Sequence, residues 1–278
     1  MIEAITKQLY EKDGIWMSEN SEEVSYPPER HDILFELEEN SFWFQHRNRC
    51  IETVVKRLPP SGVVIDVGGG NGYVTKMLSD LGYETILIEP NLKGCLNAKE
   101  RGLKNIICAS FDQISYKDAP VGGIGFFDVL EHLDREERVL RSAFEALRPD
   151  GKLYVTCPAH SWLWSCHDVL AGHYRRYTKE SLSRLLDMNG FRVQFISYFF
   201  AHLFVPVFLF RRLPHLLGEK KATIKKSTDC RDHRPIGFVK NLADLLLNAE
   251  YNDLQKSDVK YGTSLIVVAE KKKNHFLI

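Results

Sequence analysis

The sequence predicts an α/β fold in which a mainly parallel sheet lies between layers of helices. From residue 62 onwards, short apolar runs alternate with amphipathic helical patterns, and this alternation is typical of βαβ units. The first apolar run ends in an acidic residue and a glycine-rich turn that opens a helix. A chain of 278 residues can bury a large core, so we expect one domain with additions.

A helical segment is predicted before the sheet. Residues 1–20 are expected to be mobile, whereas residues 31–57 place apolar and aromatic side chains at helical spacing. The pattern stops at Pro59 and Pro60, because proline interrupts a helix. We therefore assign residues 1–60 to an N-terminal helical segment that could act as a lid.

Seven strands and four helices are predicted after this segment. The strands cover residues 62–67, 84–89, 105–108, 122–127, 152–156, 191–199 and 264–270. The helices cover residues 73–81, 92–101, 135–147 and 179–188, and Asn189-Gly190 ends the last one. The core is thus assigned to residues 61–198 and 263–273, with an insertion at residues 199–262.

The insertion begins with an apolar run and continues with basic residues. The run covers residues 199–210, interrupted by His202 and Pro206, and precedes Arg211, Arg212 and a lysine-rich segment at residues 220–226. A bilayer span needs about 20 apolar residues, so this run is too short to cross a membrane. We interpret it as a buried helix or strand. The alternative is an interfacial segment with basic anchors, in peripheral contact with a membrane.

Charge and cysteine content exclude several classes of protein. The 37 Lys and Arg balance the 37 Asp and Glu, so we expect no nucleic-acid partner. The six cysteines form no CxxC pair and no zinc-type spacing with histidine, which indicates a reduced protein without a metal. Residues 1–12 lack the basic start and apolar run of a signal peptide, so a cytoplasmic protein is expected.

The glycine-rich turn is the most informative segment. Asp66 ends the first strand, and the chain continues with Val67, Gly68, Gly69, Gly70, Asn71 and Gly72. Glycines let a backbone approach a ligand closely because no Cβ intervenes. A dinucleotide-binding GxGxxG turn would need glycine where Tyr73 stands. Glu89 ends the next strand about 20 residues later, where such folds place a carboxylate against ribose hydroxyls.

These residues resemble the class I S-adenosylmethionine-dependent methyltransferases. The resemblance covers roughly residues 49–195 and the last strand. Its motifs, in order, are residues 66–72, Glu89, the Phe-Asp-Val-Leu-Glu-His-Leu segment at 127–133 and the Leu-Arg-Pro-Asp-Gly-Lys-Leu segment at 147–153. The resemblance implies a Rossmann-like αβα sandwich with a seven-stranded, mostly parallel sheet. It also implies S-adenosylmethionine as methyl donor and S-adenosylhomocysteine as product.

The resemblance further implies a role for each residue around the cofactor. Gly68 and Gly70 would lie along the methionine part, Asp66 would order the turn and Glu89 would bind the ribose. The family usually has an aspartate after the third strand that receives the adenine amino group. This chain has Ala-Ser-Phe-Asp at residues 109–112, so Ser110 or the backbone would replace it. The expected cofactor-binding residues are Asp66, Gly68, Gly69, Gly70, Asn71, Glu89, Pro90, Ser110, Phe111 and Asp128.

Histidine, tryptophan, tyrosine and arginine are concentrated after the fourth and fifth strands. Methyl transfer from a sulfonium needs alignment of the acceptor, and a base only where the acceptor loses a proton. The candidates for that base are His132, His160, His167 and His173. The expected acceptor-binding residues are Trp43, Trp162, Tyr174, Arg175, Arg176 and Tyr177, and the paired arginines suit an anionic group.

Each of these side chains also has a purely structural interpretation, which taken singly is the stronger one. Asp128 and His132 could cap a helix, the tryptophans could form a hydrophobic plug, and His167-Asp168 could be a surface turn. Arg175 and Arg176 could begin a solvated helix. Trp43 and His46 could face the acceptor, with a packing role for Trp43 equally open. The concentration of such groups in one loop favours a binding pocket.

The predicted function is methyl transfer to a small or lipid-linked acceptor at oxygen, with carbon and nitrogen left open. An NAD-dependent oxidoreductase is an alternative that the glycine turn and Glu89 suggest, and Tyr73 counts against it. A third interpretation is a catalytically silent scaffold that keeps the cofactor fold and binds a partner or a membrane surface through the insertion.

Overall fold

The structure is a computed structural model that describes residues 2, 9–18, 30–116, 121–218 and 238–273. Its strands are β1 (Tyr10–Lys12), β2 (Ile15–Met17), β3 (Val63–Val67), β4 (Thr85–Ile88), β5 (Ile106–Cys108), β6 (Val121–Phe127), β7 (Leu147–Pro158), β8 (Phe191–Phe199) and β9 (Ser264–Lys271). They form one sheet in the order β1-β2-β5-β4-β3-β6-β7-β9-β8. Strands β3 to β7 pair in parallel, whereas β9 runs antiparallel to β7 and β8. This confirms the predicted α/β fold.

The sheet has nine strands, so the predicted number of seven is wrong. Strands β3 to β9 correspond to the seven predicted ones. The additional β1 and β2 form a hairpin around Asp13 and Gly14, and both turn residues have positive φ. The hairpin joins the edge of the sheet where Trp16 pairs with Ile107, although residues 1–20 were expected to be mobile. Strands of three residues are too short to show an alternating pattern.

The helices include all four that the sequence predicts. They are α1 (Arg30–Glu38), α2 (Phe42–Arg57), α3 (Tyr73–Asp80), α4 (Leu92–Glu100), α5 (Glu136–Ala146), α6 (Cys166–Ala171), α7 (Lys179–Met188), α8 (Phe204–Val207), α9 (Leu213–Leu216) and α10 (Phe238–Lys256). A π-helical turn, Phe208–Arg212, lies between α8 and α9. The predicted helix at residues 31–57 is divided, because Ser41 caps α2 by accepting a hydrogen bond from the Trp43 N–H.

Helices cover both faces of the sheet, which explains the continuous apolar runs of the central strands. On one face, Leu140 of α5 and Leu182 of α7 pack against β6 and β7. On the other face, side chains of α2, α3 and α10 pack together, including Ile51, Leu78 and Leu254. Cys95 and Ala98 of α4 cover β4 and β5. The core therefore holds the central strands from both sides.

The order of the strands places a crevice at the carboxyl ends of β3 and β6. From β3, the chain adds β4 and β5 on one side and then returns to add β6 and β7 on the other side. In open α/β sheets, ligands bind outside the carboxyl ends of the strands where the order reverses in this way. The residues that follow β3, β4, β6 and β7 are therefore the candidates for a binding site.

The predicted insertion at residues 199–262 holds α8, the π-helical turn, α9 and α10. Its lysine-rich segment at residues 220–226 and Cys230 lie outside the described residues. Helix α10 packs on α2, where Arg49 Nη1 donates to Asn248 Oδ1 at 2.8 Å. Within the described ranges, no helix combines the length and the apolar character that a membrane span requires. The five cysteines of the described residues are all free thiols.

Candidate functional site

In the glycine turn after β3, Gly69 is tightly packed and Gly70 faces open space. Gly68 and Gly70 have φ of +63° and +56°, a region that favours glycine. A Cβ on Gly69 would lie 2.3 Å from Leu87 Cδ1, so Gly69 is required for packing. A Cβ on Gly70 would meet no atom within 4 Å. The turn therefore leaves free space beside Gly70, where a ligand can approach the backbone.

Asp66 stabilises the glycine turn by contacting the start of α3. Its Oδ2 accepts a hydrogen bond of 2.6 Å from the Thr75 hydroxyl, which connects the end of β3 to the first turn of α3. The other carboxylate oxygen is buried and has no hydrogen-bond partner among the described residues. Burial raises the pKa of Asp66 to about 6. These contacts agree with the expected role of Asp66 in holding the loop.

Glu89 lies directly after β4 and is buried beside the same turn. Its Oε2 accepts the Gly70 N–H at 3.0 Å, and its Oε1 accepts the Asn91 N–H at 2.8 Å. Burial raises the pKa of Glu89 to about 7, although the two backbone hydrogen bonds favour the charged form. The carboxylate is thus fixed at the carboxyl ends of β3 and β4. Its contact with a ribose stays a prediction.

The side chain of Asn71 connects the glycine turn to α1 and α4. Its side chain is buried, and its Nδ2 donates to the carbonyl oxygen of His31 in α1 at 2.9 Å. Asn97 of α4 donates to Asn71 Oδ1 at 3.0 Å. Burial lowers the pKa of His31, which also contacts Asn71. The structure thus uses Asn71 to attach α1 to the glycine turn, and its contact with a cofactor stays a prediction.

The residues expected around adenine lie after β4 and β5. Phe111 is buried, and its ring centroid lies 4.8 Å from that of Tyr116 and 6.0 Å from that of Phe126. Ser110 precedes a 3-10 turn, Phe111–Gln113, without capping it. The carbonyl oxygen of Pro90 accepts from the Cys108 thiol at 3.7 Å. Phe111 is therefore a core residue. The adenine contacts of Ser110 and Phe111 and the cofactor contact of Pro90 stay predictions.

Asp128 follows β6 beside the glycine turn. A Cβ on Gly68 would lie 3.0 Å from Val129 Cγ2, which shows how closely the two segments approach. Arg47 Nε lies 2.6 Å from Asp128 Oδ2, and Arg47 Nη2 donates to the carbonyl oxygen of Phe127 at 3.0 Å. Arg47 was not identified from the sequence, because nothing local connects it to β6. The pair attaches α2 to the carboxyl edge of the sheet.

Asp168 connects two other side chains, those of His173 and Arg176, in the loop that follows β7. It is buried, so its interpretation as a surface turn is wrong. Its Oδ1 lies 3.0 Å from His173 Nδ1, and Arg176 donates to both oxygens, at 2.7 Å from Nε and 3.0 Å from Nη2. Burial raises the pKa of Asp168, but the hydrogen bonds from His173 and Arg176 outweigh it and hold the pKa well below its usual range. His173 is thus held by an ionised carboxylate.

The ring of His173, in the loop after β7, contacts the ring of His132, in the loop after β6. Their ring centroids are 4.7 Å apart at an interplanar angle of 79°. The Tyr174 N–H donates to the carbonyl oxygen of Glu131 at 2.7 Å, which joins the two loops through their backbones. Burial and the nearby Asp128 raise the pKa of Glu131 well above its usual range. The structure therefore brings together two of the four histidines expected to act as bases.

Two groups of side chains have atoms of the kind that bind metals. Glu131, His132 and His173 form one group, and His46, Cys50 and Glu250 form the other; within each, the ligand-type atoms lie within 4.8 Å of one another. In the second group, Glu250 already accepts two backbone N–H groups. The expectation that the protein uses no metal stays a prediction.

His160 and His167 lie elsewhere in the same loop. His160 has a φ of +63°, and its ring stacks on Tyr198 at 5.0 Å, with Nε2 buried and without a partner among the described residues. Burial lowers the pKa of His160. The His167 N–H donates to Ser165 Oγ at the start of α6. Tyr177 is buried in the core. The His160 N–H donates to the carbonyl oxygen of Tyr177 at 2.8 Å, so these two residues are neighbours through their backbones. The site roles of His160, His167 and Tyr177 stay predictions.

The two arginines expected to bind an anionic acceptor are already paired. Arg175 forms an ion pair with Glu136 and donates to the carbonyl oxygen of Asp134 at 2.8 Å. Arg176 binds Asp168 and donates to the carbonyl oxygen of Ala159 at 3.1 Å. Neither pairing matches a solvated helix start. An anionic acceptor, and the contact of Arg175 and Arg176 with it, stay predictions.

Trp43 and His46 of α2 pack against residues of the insertion, whereas Trp162 and Tyr174 are exposed. Trp43 stacks on Phe200 with centroids 5.3 Å apart, which supports its packing interpretation. His46 is buried, and its Nε2 lies 2.7 Å from Glu250 Oε1 of α10. Trp162 and Tyr174, in contrast, are 47% and 52% exposed and remain accessible to an acceptor.

Comparison with known proteins agrees with this geometry. A family model described as "Methyltransferase domain" matches residues 38–194, which is 157 of the 278 residues. The chain therefore belongs to this methyltransferase family. Together with the strand order and the glycine turn, this identifies residues 38–194 as a class I S-adenosylmethionine-dependent methyltransferase domain.

Several curated proteins are similar over the same region. A probable S-adenosylmethionine-dependent methyltransferase of Mycolicibacterium smegmatis is 24% identical over 57% of this chain and 62% of its own length. The tRNA 5-carboxymethoxyuridine methyltransferase of Escherichia coli is 29% identical over 45% and 51%. The mitochondrial ubiquinone biosynthesis O-methyltransferase of Bos taurus is 25% identical over 52% and 46%. The chain thus spans about half the length of the curated relatives it matches.

Solved structures show the same fold. A methyltransferase of Thermotoga maritima superposes with a TM-score of 0.55 at 20% identity and covers 87% of this chain and 97% of that protein. At this level of identity the similarity concerns the fold alone. The identity of the acceptor is therefore a separate question.

Proposed function

We propose that this chain transfers a methyl group from S-adenosylmethionine to an oxygen atom of a small or lipid-linked acceptor, with His173 as the general base. The observation that carries this proposal is the contact of His173 Nδ1 with the buried carboxylate of Asp168 at 3.0 Å. A base is useful only for an acceptor that carries a proton to lose, such as a hydroxyl group.

The contact with Asp168 determines which nitrogen of His173 can act. An ionised carboxylate at Nδ1 favours the tautomer with the proton on Nδ1, which leaves the lone pair on Nε2. Arg176 holds Asp168 by two hydrogen bonds, so the carboxylate cannot turn away. The His173 side chain is 17% exposed, so part of the imidazole is accessible to a ligand. His173 thus combines orientation with access.

The glycine turn supplies the complementary half of the site. Free space beside Gly70 and the unpaired buried oxygen of Asp66 fit the methionine part of the cofactor, and Glu89 fits its ribose. When bound, S-adenosylmethionine supplies an activated methyl group on a sulfonium. In that reaction His173 Nε2 would take the proton of the acceptor hydroxyl, while Glu89 and the backbone at Gly70 would hold the cofactor that donates the methyl group.

The choice of oxygen has support from a relative. The Bos taurus protein is named an O-methyltransferase of ubiquinone biosynthesis, a name that points to an acceptor with a lipid chain. Family membership favours methyl transfer over the NAD-dependent alternative. The scaffold alternative is still open, because an intact cofactor turn does not establish turnover.

Calorimetric titration tests the cofactor first. Micromolar binding of S-adenosylmethionine and S-adenosylhomocysteine, with none of NAD, is the expected result. Binding without transfer to any acceptor would favour the scaffold alternative, and binding of NAD alone would contradict the proposal.

Transfer of labelled methyl groups to phenols and to hydroxyl-bearing lipids tests the base. With the best acceptor, we expect His173→Gln to lower kcat by about 10²- to 10⁴-fold with unchanged cofactor affinity. The loss of kcat in His173→Gln should become smaller as the pH approaches the pKa of the acceptor hydroxyl, because an ionised acceptor needs no base. His202→Gln, outside this contact, should keep its rate. Equal rates for His173→Gln and the unmodified enzyme would exclude His173 as the base.

A further inference from the structure

One helical stretch holds an unusual share of the exposed apolar side chains. Of the fourteen large hydrophobic residues that are exposed in the described part of the chain, five lie between residues 205 and 217. They are Val205, Leu209, Phe210, Leu216 and Leu217, and we call them the apolar surface. Phe210 and Leu217 are 76% and 79% exposed. Single exposed hydrophobic residues are ordinary, whereas a cluster of them marks an interaction site.

The opposite side of this stretch is attached to the loop after β7. The ring of Phe204 lies 5.2 Å from that of Trp162, and Arg212 Nη1 donates to the carbonyl oxygen of Trp164 at 2.7 Å. His215 Nδ1 lies 3.0 Å from Cys166 Sγ. These contacts hold one side of the helical stretch against the body of the protein, so the apolar surface faces solvent beside the candidate acceptor loop.

Positive charge accompanies the apolar surface in the sequence. Residues 211–226 contain six basic residues, Arg211, Arg212, Lys220, Lys221, Lys225 and Lys226, and one acidic residue, Glu219, for a net charge of +5. The lysines lie outside the described residues, so the argument uses their charge and no position. A second copy of this chain would bring like charges together, whereas anionic lipid headgroups would compensate them.

We propose that the apolar surface docks this enzyme on an anionic lipid bilayer. Apolar side chains enter the boundary between headgroups and acyl chains, while the net positive charge of residues 211–226 attracts lipid phosphates. The helical stretch then lies in the plane of the membrane surface. The acceptor loop, held by Trp162 and Trp164, would be close to that surface. That the acceptor is taken from the bilayer rests on the proposed function, whereas the docking itself does not.

Vesicle sedimentation with the full chain tests this proposal. The probes are phosphatidylcholine vesicles and vesicles with about one third phosphatidylglycerol. We expect sedimentation with the anionic vesicles, which weakens as salt is added. Phe210→Glu should weaken the partition by about tenfold or more, because it removes buried apolar area and adds a repelled charge. Met188→Glu is the matched control, since Met188 of α7 is 71% exposed at another place, and it should bind as the unmodified chain does.

Several outcomes would overturn the docking. A folded chain that sediments with neither vesicle, or equally with both, contradicts it, as does an equal effect of the Phe210 and Met188 substitutions. A dimer in size exclusion that Phe210→Glu dissociates would assign the apolar surface to a second copy instead. The readout involves no methyl transfer, so a failure of docking leaves the cofactor titration and the transfer assay unaffected.

Discussion

Arg47 of α2 and Asp128 at the end of β6 are joined by an ion pair of 2.6 Å. Arg47 comes before the first core strand, whereas β6 lies in the centre of the sheet, so the pair connects the N-terminal helices to the carboxyl edge. The same guanidinium donates to the carbonyl oxygen of Phe127. One side chain thus positions α2 beside the glycine turn.

We expect Arg47→Ala to lower the free energy of unfolding by about 1–3 kcal/mol, because it leaves Asp128 and a backbone carbonyl without their partner. Lys56→Ala is the control, since Lys56 pairs with Glu52 on the same helix and its side chain is 58% exposed. That substitution should cost about 0.5 kcal/mol or less. Urea unfolding measures both, and equal losses would mean that the Arg47 pair has no special role.

Gly70 allows a test of the cofactor site that is separate from the fold. Its missing Cβ faces open space, so Gly70→Arg should leave the chain folded apart from the strain of φ +56°. The new side chain would fill the space beside the turn and abolish measurable binding of S-adenosylmethionine in calorimetry. Gly82→Arg has the same open surroundings and a φ of +90° after α3. If both variants bind the cofactor equally well, the site is not beside Gly70.

The carboxyl groups of the cofactor site predict a pH dependence of binding. Burial raises the pKa of Glu89 to about 7 and that of Asp66 to about 6. The sulfonium of S-adenosylmethionine is attracted by the ionised forms, whose fraction increases as pH rises through these pKa values. We therefore expect its affinity to rise between about pH 5.5 and pH 8.

Glu89→Gln should remove the upper part of this rise, which titration calorimetry at several pH values can resolve. S-adenosylhomocysteine has no sulfonium, so its affinity should depend less on pH. The same pH profile for both ligands would show that the carboxylates act only as hydrogen-bond acceptors.

The sheet was predictable because its strands are buried on both faces and therefore appear as continuous apolar runs. The apolar run Val63–Val67 leads directly into the glycine turn, so the prediction of the strand and the prediction of the turn support each other. The hairpin β1-β2 was missed because each of its strands has only three residues. The separation of α1 from α2 was missed because a few residues around Ser41 decide it. Helix α10 was not predicted either, and it packs on α2, about 200 positions earlier in the chain.

The site was predictable only where its residues are close in sequence. Asp66 and the glycines form one continuous segment, and Glu89 lies one strand later. The contacts of Arg47 with Phe127 and of His46 with Glu250 join residues 80 and 204 positions apart. Such pairs depend on how the helices pack, and the sequence pattern contains no signal for them. The place of Asn71 in the motif suggested a ligand contact, which stays a prediction, but gave no indication that its side chain binds α1.

Asn71 makes the attachment of α1 testable. We expect Asn71→Ala to accelerate hydrogen exchange in α1, because the His31 carbonyl and Asn97 lose their buried partner. The free energy of unfolding should fall by about 1–3 kcal/mol. Asn105→Ala is the control, since Asn105 donates to Thr85 far from α1. Unchanged exchange in α1 after Asn71→Ala would mean that other contacts hold this helix.

Glu250 connects three separate parts of the chain through one buried carboxylate. Its oxygens accept the N–H groups of Phe200 at 2.7 Å and Ala201 at 2.5 Å, and His46 Nε2 lies 2.7 Å away. We expect Glu250→Gln to lower the free energy of unfolding by about 2–4 kcal/mol, because an amide has one acceptor oxygen where two are needed. Glu52→Gln on the partly exposed side of α2 should cost far less. Chemical denaturation of both variants decides between them: similar losses would show that the carboxylate does not hold α2, α10 and the end of β8 together.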